Sequence, residues 1–349
     1  MNLIPKKMKG VYLTGHGGQD KLELRDDIPV PSPGPSDVLI KVGAAAVNNT
    51  DINTRTAWYS KSDSDSDDAS WSGNPIQFPR IQGADVCGRI VAVGDDICSS
   101  RIDERVLVEP CIREAQGEVL DQPWYFGSEC DGGFAQFTVV ASRHAYKIDS
   151  QLSDVELASY PCSYSTAENL LTRAKVIAND VVLVTGASGG VGSAAVQLAK
   201  ARGAKVIGVS ATSKSDSLIK LGADQTISRN DSLVQALGRN SIDVVIDLVA
   251  GKQWSELLAV LKPFGRYAVA GAIGGPHVNL DVRTLYLKDL SLFGCTVLDE
   301  GVFGNLIKRI EANDIVPVVA KTFLLEQLTE AQNYFETKGF TGKLVLDLS

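Results

Sequence analysis

Histidine is scarce in this chain of 349 residues. It has three histidines (His16, His144 and His277), far apart and with neighbours typical of a surface, and six cysteines with no Cys-x-x-Cys spacing. A structural zinc site needs closely spaced thiolates, so none is expected. Cys87, Cys98, Cys111, Cys130, Cys162 and Cys295 read as free thiols of a reducing compartment. Excess positive charge is also missing. The formal net charge is −8, with 34 Lys and Arg against 42 Asp and Glu, which excludes the basic footprint of a nucleic-acid binder. No apolar run approaches the roughly 20 residues of a membrane span. The opening MNLIPKKMKGVYL lacks the apolar core of a signal peptide, so a cytoplasmic location is expected. One stretch, KSDSDSDDASWSG at 61–73, is nearly devoid of apolar residues and reads as a surface loop. Its alternating Asp63, Asp65 and Asp67 lack the central Gly and terminal Glu of an EF-hand calcium loop.

The most informative segment present is VVLVTGASGGVGSAAVQLAK, residues 181–200. Four apolar β-formers lead into a glycine-rich turn, and an Ala-rich amphipathic helix follows. Gly186, Gly189 and Gly192 have the spacing of a dinucleotide-binding loop: a tight turn, close backbone approach to a pyrophosphate, and helix packing on strand. Gly190 and Val191 would join Gly189 in cradling the pyrophosphate at the helix N-terminus. About 180 residues precede this loop, and the length exceeds what one core usually holds, so two domains are expected. The first 150 residues read as β-rich, with a buried strand at VLIKVGAAAV (38–47). Residues 152–174 read as helix, opened by a capping box of Ser153 and Glu156. From 181 onward strands (205–211, 225–229, 242–251, 266–272, 289–297) alternate with helices (among them 254–265), the pattern of an α/β doubly wound parallel sheet. Helices at 303–313 and 325–338 and a strand at 343–348 complete the chain.

The second strand of that sheet ends in Ser210, Ala211 and Thr212, followed by Lys214. An NAD-specific domain places a carboxylate there for the ribose 2′-hydroxyl. A hydroxyl and a lysine, with Arg229 at the end of the third strand, suit a 2′-phosphate, so NADPH is expected over NADH. TGASGGVG also fits the signature of short-chain dehydrogenases, with Tyr334 and Lys338 in Tyr-x-x-x-Lys spacing. The 180 residues before the loop, and the few after Lys338, speak against that family.

VNNTDINTRTAWY (47–59), GADVCGRIVAVG (83–94), the glycine loop, GRYAVAG (265–271) and GKLVL (342–346) together resemble the medium-chain dehydrogenase/reductase superfamily over nearly the whole chain. VNNTDINTRTAWY is similar to the corresponding segment of its quinone oxidoreductases. The resemblance implies a GroES-like β-rich catalytic domain at 1–155 and 300–349 around a Rossmann domain at 156–299. It implies an oxidoreductase with a small-molecule acceptor and no nucleic-acid or membrane partner. Of the catalytic zinc ligands in the family's alcohol dehydrogenases, the first Cys is replaced here by Asn48 and the His by Ala84. Only Asp85 and Cys162 survive, and no metal is expected. By the same resemblance Asn48 lies near the nicotinamide ribose and Thr166 near the ring. Ala270, Gly271 and Ala272 line the nicotinamide side, Phe293 and Cys295 reach the cofactor, and the segment 289–297 is the edge strand of a homodimer.

The expected chemistry is hydride transfer from NADPH to a quinone or an α,β-unsaturated carbonyl. Asp51, Arg55, Tyr59 and Asp85 are the candidates for substrate contact, with Tyr59 as proton donor. Two of them have a competing reading as an Arg55–Asp85 ion pair of purely structural role, and Tyr59 as a rim aromatic. Two other functions stay open: a zinc-type alcohol dehydrogenase with replaced ligands, and a non-catalytic NADPH-binding, crystallin-like protein.

Overall fold

A computed structural model describes residues 4–60 and 70–349. The acidic stretch read as a surface loop falls, at 61–69, outside the described residues. The chain forms two compact units, one of Met1–Cys162, Val319–Gly339 and Lys343–Ser349, the other of Ser163–Val318 and Phe340–Gly342. The helix Val302–Glu311 belongs to the second unit and buries Val302, Phe303, Leu306, Ile307 and Ile310.

The first unit is built on a seven-stranded sheet whose central strand is Asp37–Val47. This strand is apolar along most of its length, with Ala44, Ala45 and Ala46 fully buried. Short side chains let both faces be covered closely. It pairs antiparallel with Asp85–Val93 on one side and, over its first half, with Phe137–Ala141. Its second half pairs antiparallel with the last strand, Lys343–Asp347, Leu344 standing opposite Val47 and Asp347 opposite Ala44. Val319–Leu324 lies parallel to that last strand at the edge. The end of the chain thus completes the sheet that its beginning opens. A three-stranded sheet (Leu22–Pro29, Lys7–Leu13, Arg80–Ile81) and a hairpin (Cys111–Ala115, Glu118–Tyr125) complete its strands.

The helical stretch expected at 152–174 is two helices, Asp154–Leu157 and Pro161–Arg173. The break falls before Pro161, which opens the second helix at the one position where a missing N–H costs nothing. The capping box is formed: the Ser153 N–H donates to Glu156 Oε2 (2.8 Å) and the Glu156 N–H to Ser153 Oγ (3.2 Å).

The second unit holds six parallel strands: Val181–Val184, Lys205–Ser210, Gln225–Ser228, Ile242–Asp247, Leu261–Val269 and Ser291–Gly294. Their spatial order is third, second, first, fourth, fifth, sixth, the doubly wound order in which ligands bind where the first and fourth strands diverge. The expected helix over 254–265 ends at Val260, and strand begins at Leu261. Pro263 cannot continue a helix. The strand pairing shifts register between Ile242 and Val244, which accommodates the Lys262–Gly265 irregularity. Because the fifth strand stops at Val269, Ala270, Gly271 and Ala272 lie beyond its carboxyl end. Leu183, Ile207, Val245, Leu257, Leu261 and Tyr267 are among the buried core residues.

The glycine loop follows from sterics. Gly186 has φ +57°, a left-handed conformation that favours glycine. A Cβ on Gly192 would lie 2.2 Å from the Gly186 carbonyl oxygen and 2.7 Å from Ala187 Cα. A Cβ on Gly189 would have its nearest neighbour at 3.5 Å. Gly192→Ala therefore meets immovable backbone and is expected to cost about 1–3 kcal/mol or more, whereas Gly189→Ala stays within about 1 kcal/mol. Urea unfolding of the two variants checks this; equal effects would refute the packing role of Gly192.

Candidate functional site

Each unit gathers part of the expected chemistry, and each part is built at the ends of strands. In the first unit three strand ends converge. Asn48 follows the central strand, Asp85 begins its neighbour and Lys343 begins the last strand. The Lys343 ammonium donates to Asp85 Oδ2 (2.8 Å), to Asn48 Oδ1 and to the Val47 carbonyl (3.2 Å). Asn48 Nδ2 donates to the same Asp85 oxygen (2.7 Å) and to the Ala46 carbonyl (3.2 Å). The Cys162 N–H occupies the other Asp85 oxygen (2.5 Å). Asp85 is fully buried and Lys343 and Asn48 nearly so. The Asn48 amide is held in one orientation by a donor on its oxygen and acceptors on its nitrogen.

Asp51 joins this cluster from the first turn of the helix Asn49–Arg55, accepting the Asn48 N–H on Oδ2 (2.7 Å). The N–H of Gly83 also stabilises its charge, and Gln82 Nε2 donates to its backbone carbonyl (2.8 Å). Burial pushes the Asp51 carboxyl up to about 7, aided by the nearby charge of Asp85 and opposed by the Asn48 N–H and Lys343. Beside it, Ala84, Cys162 and Tyr125 form an apolar cluster against Trp71, which stacks on Tyr125 at 4.9 Å. The Tyr125 hydroxyl lies 3.0 Å from Cys162 Sγ. Burial, with Asp85 next, pushes the Cys162 thiol up to about 12. Tyr59 donates to Thr50 Oγ1 (3.0 Å), and burial raises its phenol, so it stays protonated.

The sequence-predicted residues thus separate. Asn48, Asp51 and Asp85 come together, and Tyr59 is held one residue from Asp51 through Thr50. Arg55 does not join them, and the expected ion pair with Asp85 is not formed. Its guanidinium donates instead to Gln332 Oε1 (3.0 Å) and the Gly17 carbonyl (2.9 Å) and lies 3.5 Å from Glu336. Asp85 is satisfied by Lys343, a residue left out of the candidates. The signal for it was a charged residue opening the apolar strand of GKLVL. Nor is His144 a surface residue. It is buried, bonded through Nδ1 to Glu109 (3.0 Å), and its Nε2 accepts the N–H groups of Arg113 (3.0 Å) and Glu114 (3.1 Å).

These donors do not suit zinc. Catalytic zinc takes three ligands from thiolate, imidazole and carboxylate. Here a methyl, an amide and a single thiol stand at the corresponding positions, and the carboxylate of Asp85 is matched to an ammonium.

In the second unit, the helix Gly190–Ala201 begins at Gly189, which is exposed and where no side chain caps the first turn. Its leading N–H groups and dipole suit a pyrophosphate, and the open space beside Gly189 leaves room for one. Ser210, Lys214 and Arg229 meet at the ends of the second and third strands. The Arg229 N–H donates to the Ser210 carbonyl (2.8 Å), and the Lys214 ammonium to the Phe340 carbonyl (2.6 Å). Partial burial lowers the Lys214 ammonium, and the Arg229 charge lowers it further. Two cations held near each other suit an anion. The Cys295 N–H donates to the Val269 carbonyl (2.9 Å), and Phe293 stands opposite Ala268, so both lie beside the 270–272 segment. Thr166 lies on the helix Pro161–Arg173, half-buried, one turn before Asn169, whose amide bonds the Val297 carbonyl (3.0 Å) and the Asp299 N–H (3.0 Å). Tyr334 and Lys338 belong to the first unit, at the helix Leu328–Glu336 and just beyond it.

Comparisons with known proteins fit both halves. Residues 34–150 match the alcohol dehydrogenase GroES-like domain and residues 190–312 the zinc-binding dehydrogenase domain. The chain is 30% identical to the human (Homo sapiens) quinone oxidoreductase over 355 residues, 98% of both chains. It is 30% identical to acryloyl-coenzyme A reductase of Metallosphaera sedula, covering 97% of this chain and 99% of that one. A solved chain from Sinorhizobium meliloti 1021, provisionally described as an alcohol dehydrogenase, is 43% identical with a TM-score of 0.93, covering 99% and 97%. The fold is thus a GroES-like unit with a Rossmann unit, and the chain belongs to the medium-chain dehydrogenase/reductase superfamily. It is an oxidoreductase of that type, from a family that uses a nicotinamide cofactor. No described helix is long and apolar enough to cross a membrane.

The raised Asp51 carboxyl has a consequence for stability. The folded state holds its proton up to about pH 7, the unfolded chain only to about pH 4. The contribution is complete below the unfolded value and is lost as pH rises through the folded one. Asp51→Asn is expected to remove that decline between about pH 4 and 7. Urea midpoints across this range check it; an identical pH slope in the two proteins would refute it.

Proposed function

We propose that this chain is an NADPH-dependent reductase of quinones or α,β-unsaturated carbonyl compounds that works without catalytic zinc. The observation that carries the reading is the Lys343 ammonium bonded to Asp85 and Asn48, with Ala84 and Cys162 in an apolar cluster beside them. The positions that hold the metal elsewhere in the family are filled by an internal ion pair and an apolar cluster. Without a Lewis acid an isolated carbonyl is poorly polarised. A conjugated acceptor carries the developing negative charge on its own oxygen, where hydrogen bonds suffice. The names of the quinone oxidoreductase and acryloyl-coenzyme A reductase relatives agree with such acceptors.

The bound nicotinamide supplies the hydride. The N–H groups of Gly189, Gly190 and Val191 hold the pyrophosphate, with Gly186 and Gly192 shaping the loop. Ser210, Lys214 and Arg229 receive the 2′-phosphate. Asn48, its amide fixed by Lys343, serves the ribose. Thr166, Ala270, Gly271, Ala272, Phe293 and Cys295 surround the ring. Tyr59, kept protonated, gives the proton that completes reduction. Asp51 and Asp85 hold this frame, and Arg55 ties the helix Asn49–Arg55 to Gln332 and the Gly17 carbonyl. The protein acts in the cytoplasm as a homodimer. In support of the dimer, Ser291–Gly294 is a sheet edge, and Phe264, Val282, Tyr286 and Leu287, all in the same stretch of chain, are 59–73% exposed.

A second reading, zinc-dependent alcohol oxidation, is favoured by the match of residues 190–312 to the zinc-binding dehydrogenase domain and by the alcohol dehydrogenase description of the Sinorhizobium meliloti chain. Purified protein is expected to carry no stoichiometric zinc and to oxidise NADPH with members of a panel of quinones and enones. NADPH consumption with none of them would refute the leading proposal, and zinc-dependent alcohol turnover would establish the second. Lys214→Asp is expected to raise the KM for NADPH at least about tenfold more than that for NADH; equal changes would refute the phosphate site. Light scattering is expected to give twice the chain mass, with Leu287→Asp shifting it towards the monomer. A wild-type protein that is monomeric at micromolar concentration would refute the dimer.

A further inference from the structure

We infer that Asp247 is a positioning residue for the dinucleotide, its buried carboxylate holding the turns after the first, fourth and fifth strands in one arrangement. The inference rests on the reading of the second unit as the nicotinamide-binding one. Asp247 is the last residue of the fourth strand and is fully buried, so it acts through other residues. Four donors converge on its side chain. Oδ1 accepts the Thr185 hydroxyl (2.5 Å) and the N–H groups of Val249 (2.9 Å) and Ala250 (3.1 Å). Oδ2 accepts the Tyr267 hydroxyl (2.5 Å). Four donors on one side chain call for an acceptor-only group, which an aspartate is and an asparagine is not.

Each partner leads to a different wall of the proposed cofactor pocket. Thr185 precedes Gly186, and its Oγ1 also accepts the Leu248 N–H (2.9 Å), tying the glycine turn to the turn after the fourth strand. Val249 packs over that glycine turn, its Cγ2 lying 3.1 Å from where a Cβ on Gly186 would stand. The Val249 carbonyl accepts the Gly274 N–H (2.7 Å), and the Asp247 carbonyl accepts the Ala270 N–H (3.2 Å). The 270–274 segment is thereby fixed from both ends. Ala250 has φ +56° and ψ −143°, a conformation that costs an L-residue energy and persists only where its surroundings impose it. The bond from its N–H to Asp247 is one such restraint. Tyr267 brings in the fifth strand, and Trp254 packs edge-on against its ring at 4.9 Å. The first and fourth strands flank the point where the sheet order reverses, where doubly wound sheets bind ligands.

The test compares Asp247→Asn, Thr185→Val and Tyr267→Phe with wild type. The readouts are NADPH and NADH fluorescence titration, the KM for dinucleotide against the KM for acceptor and kcat, and thermal melting. Asp247→Asn is expected to weaken NADPH and NADH alike by about tenfold, because it acts on the loop and not on the 2′-phosphate. The loss should fall on the KM for dinucleotide more than on the other two parameters. Thr185→Val and Tyr267→Phe, each removing one of the four bonds, are expected to give about threefold, and they carry the test if Asp247→Asn does not fold. Variants that melt earlier yet bind dinucleotide as wild type does, or that lose all parameters in step, would overturn the positioning role. Wild type that binds neither dinucleotide would overturn the functional reading itself, and this inference with it.

Discussion

The ion pair between Lys343 and Asp85 is the contact on which the first unit depends. A buried charge is tolerated only when matched and hydrogen-bonded, and removing one partner of such a pair costs about 3–5 kcal/mol. Here the ammonium has three acceptors, and Asp85 accepts from three donors. The pair sets the register of the last strand against the central one, because a slip of one residue would turn Lys343 to the other face. It also orients Asn48 and anchors the N-terminal end of the helix Pro161–Arg173 through the Cys162 N–H. One cation therefore joins the sheet and the groups proposed to face the ribose.

The second unit follows the same logic with a different chemistry. There, too, a fully buried carboxylate collects donors at the ends of neighbouring strands, Asp247 in place of Asp85. Its partners among the described residues are hydroxyls and N–H groups rather than a cation. The difference suits what each must hold. The first unit fixes strands from distant parts of the chain, which a strong charge pair can register. The second fixes short turns, which several directed hydrogen bonds define better than one charge.

Much of this was legible in the sequence because it is carried by local pattern. The glycine loop, the strand–helix alternation and the capping box each depend on residues close together in the chain, and their physical signatures are periodicity and sterics. The converging strand ends were legible only in part. Asp85 and Asn48 drew attention through the family pattern, but their partner Lys343 lies 258 positions beyond Asp85. Opposite charge suggests a pair between Arg55 and Asp85, but the buried Lys343, hidden in an apolar strand, donates to Asp85 instead. His144 has polar neighbours in sequence, which suggest a surface residue, whereas its hydrogen-bond partners come from the strand Cys111–Ala115 and its approach. The helix Trp254–Val260 stops short of the apolar pattern that suggested it, because Pro263 cannot stay helical and the same pattern continues as strand from Leu261.

The place of the last strand bears on the order in which the protein is made. Nearly all of the second unit is one uninterrupted stretch, residues 163–318, so it has its six strands as soon as that stretch leaves the ribosome. The first unit has most of its residues long before, but its central strand waits for residues 343–347. Until they arrive, Asp85 lacks its cation and the Ala-rich half of the central strand has an open edge. The unit synthesised first is thus the one finished last, and its exposed edge during that interval is what a chaperone would have to cover.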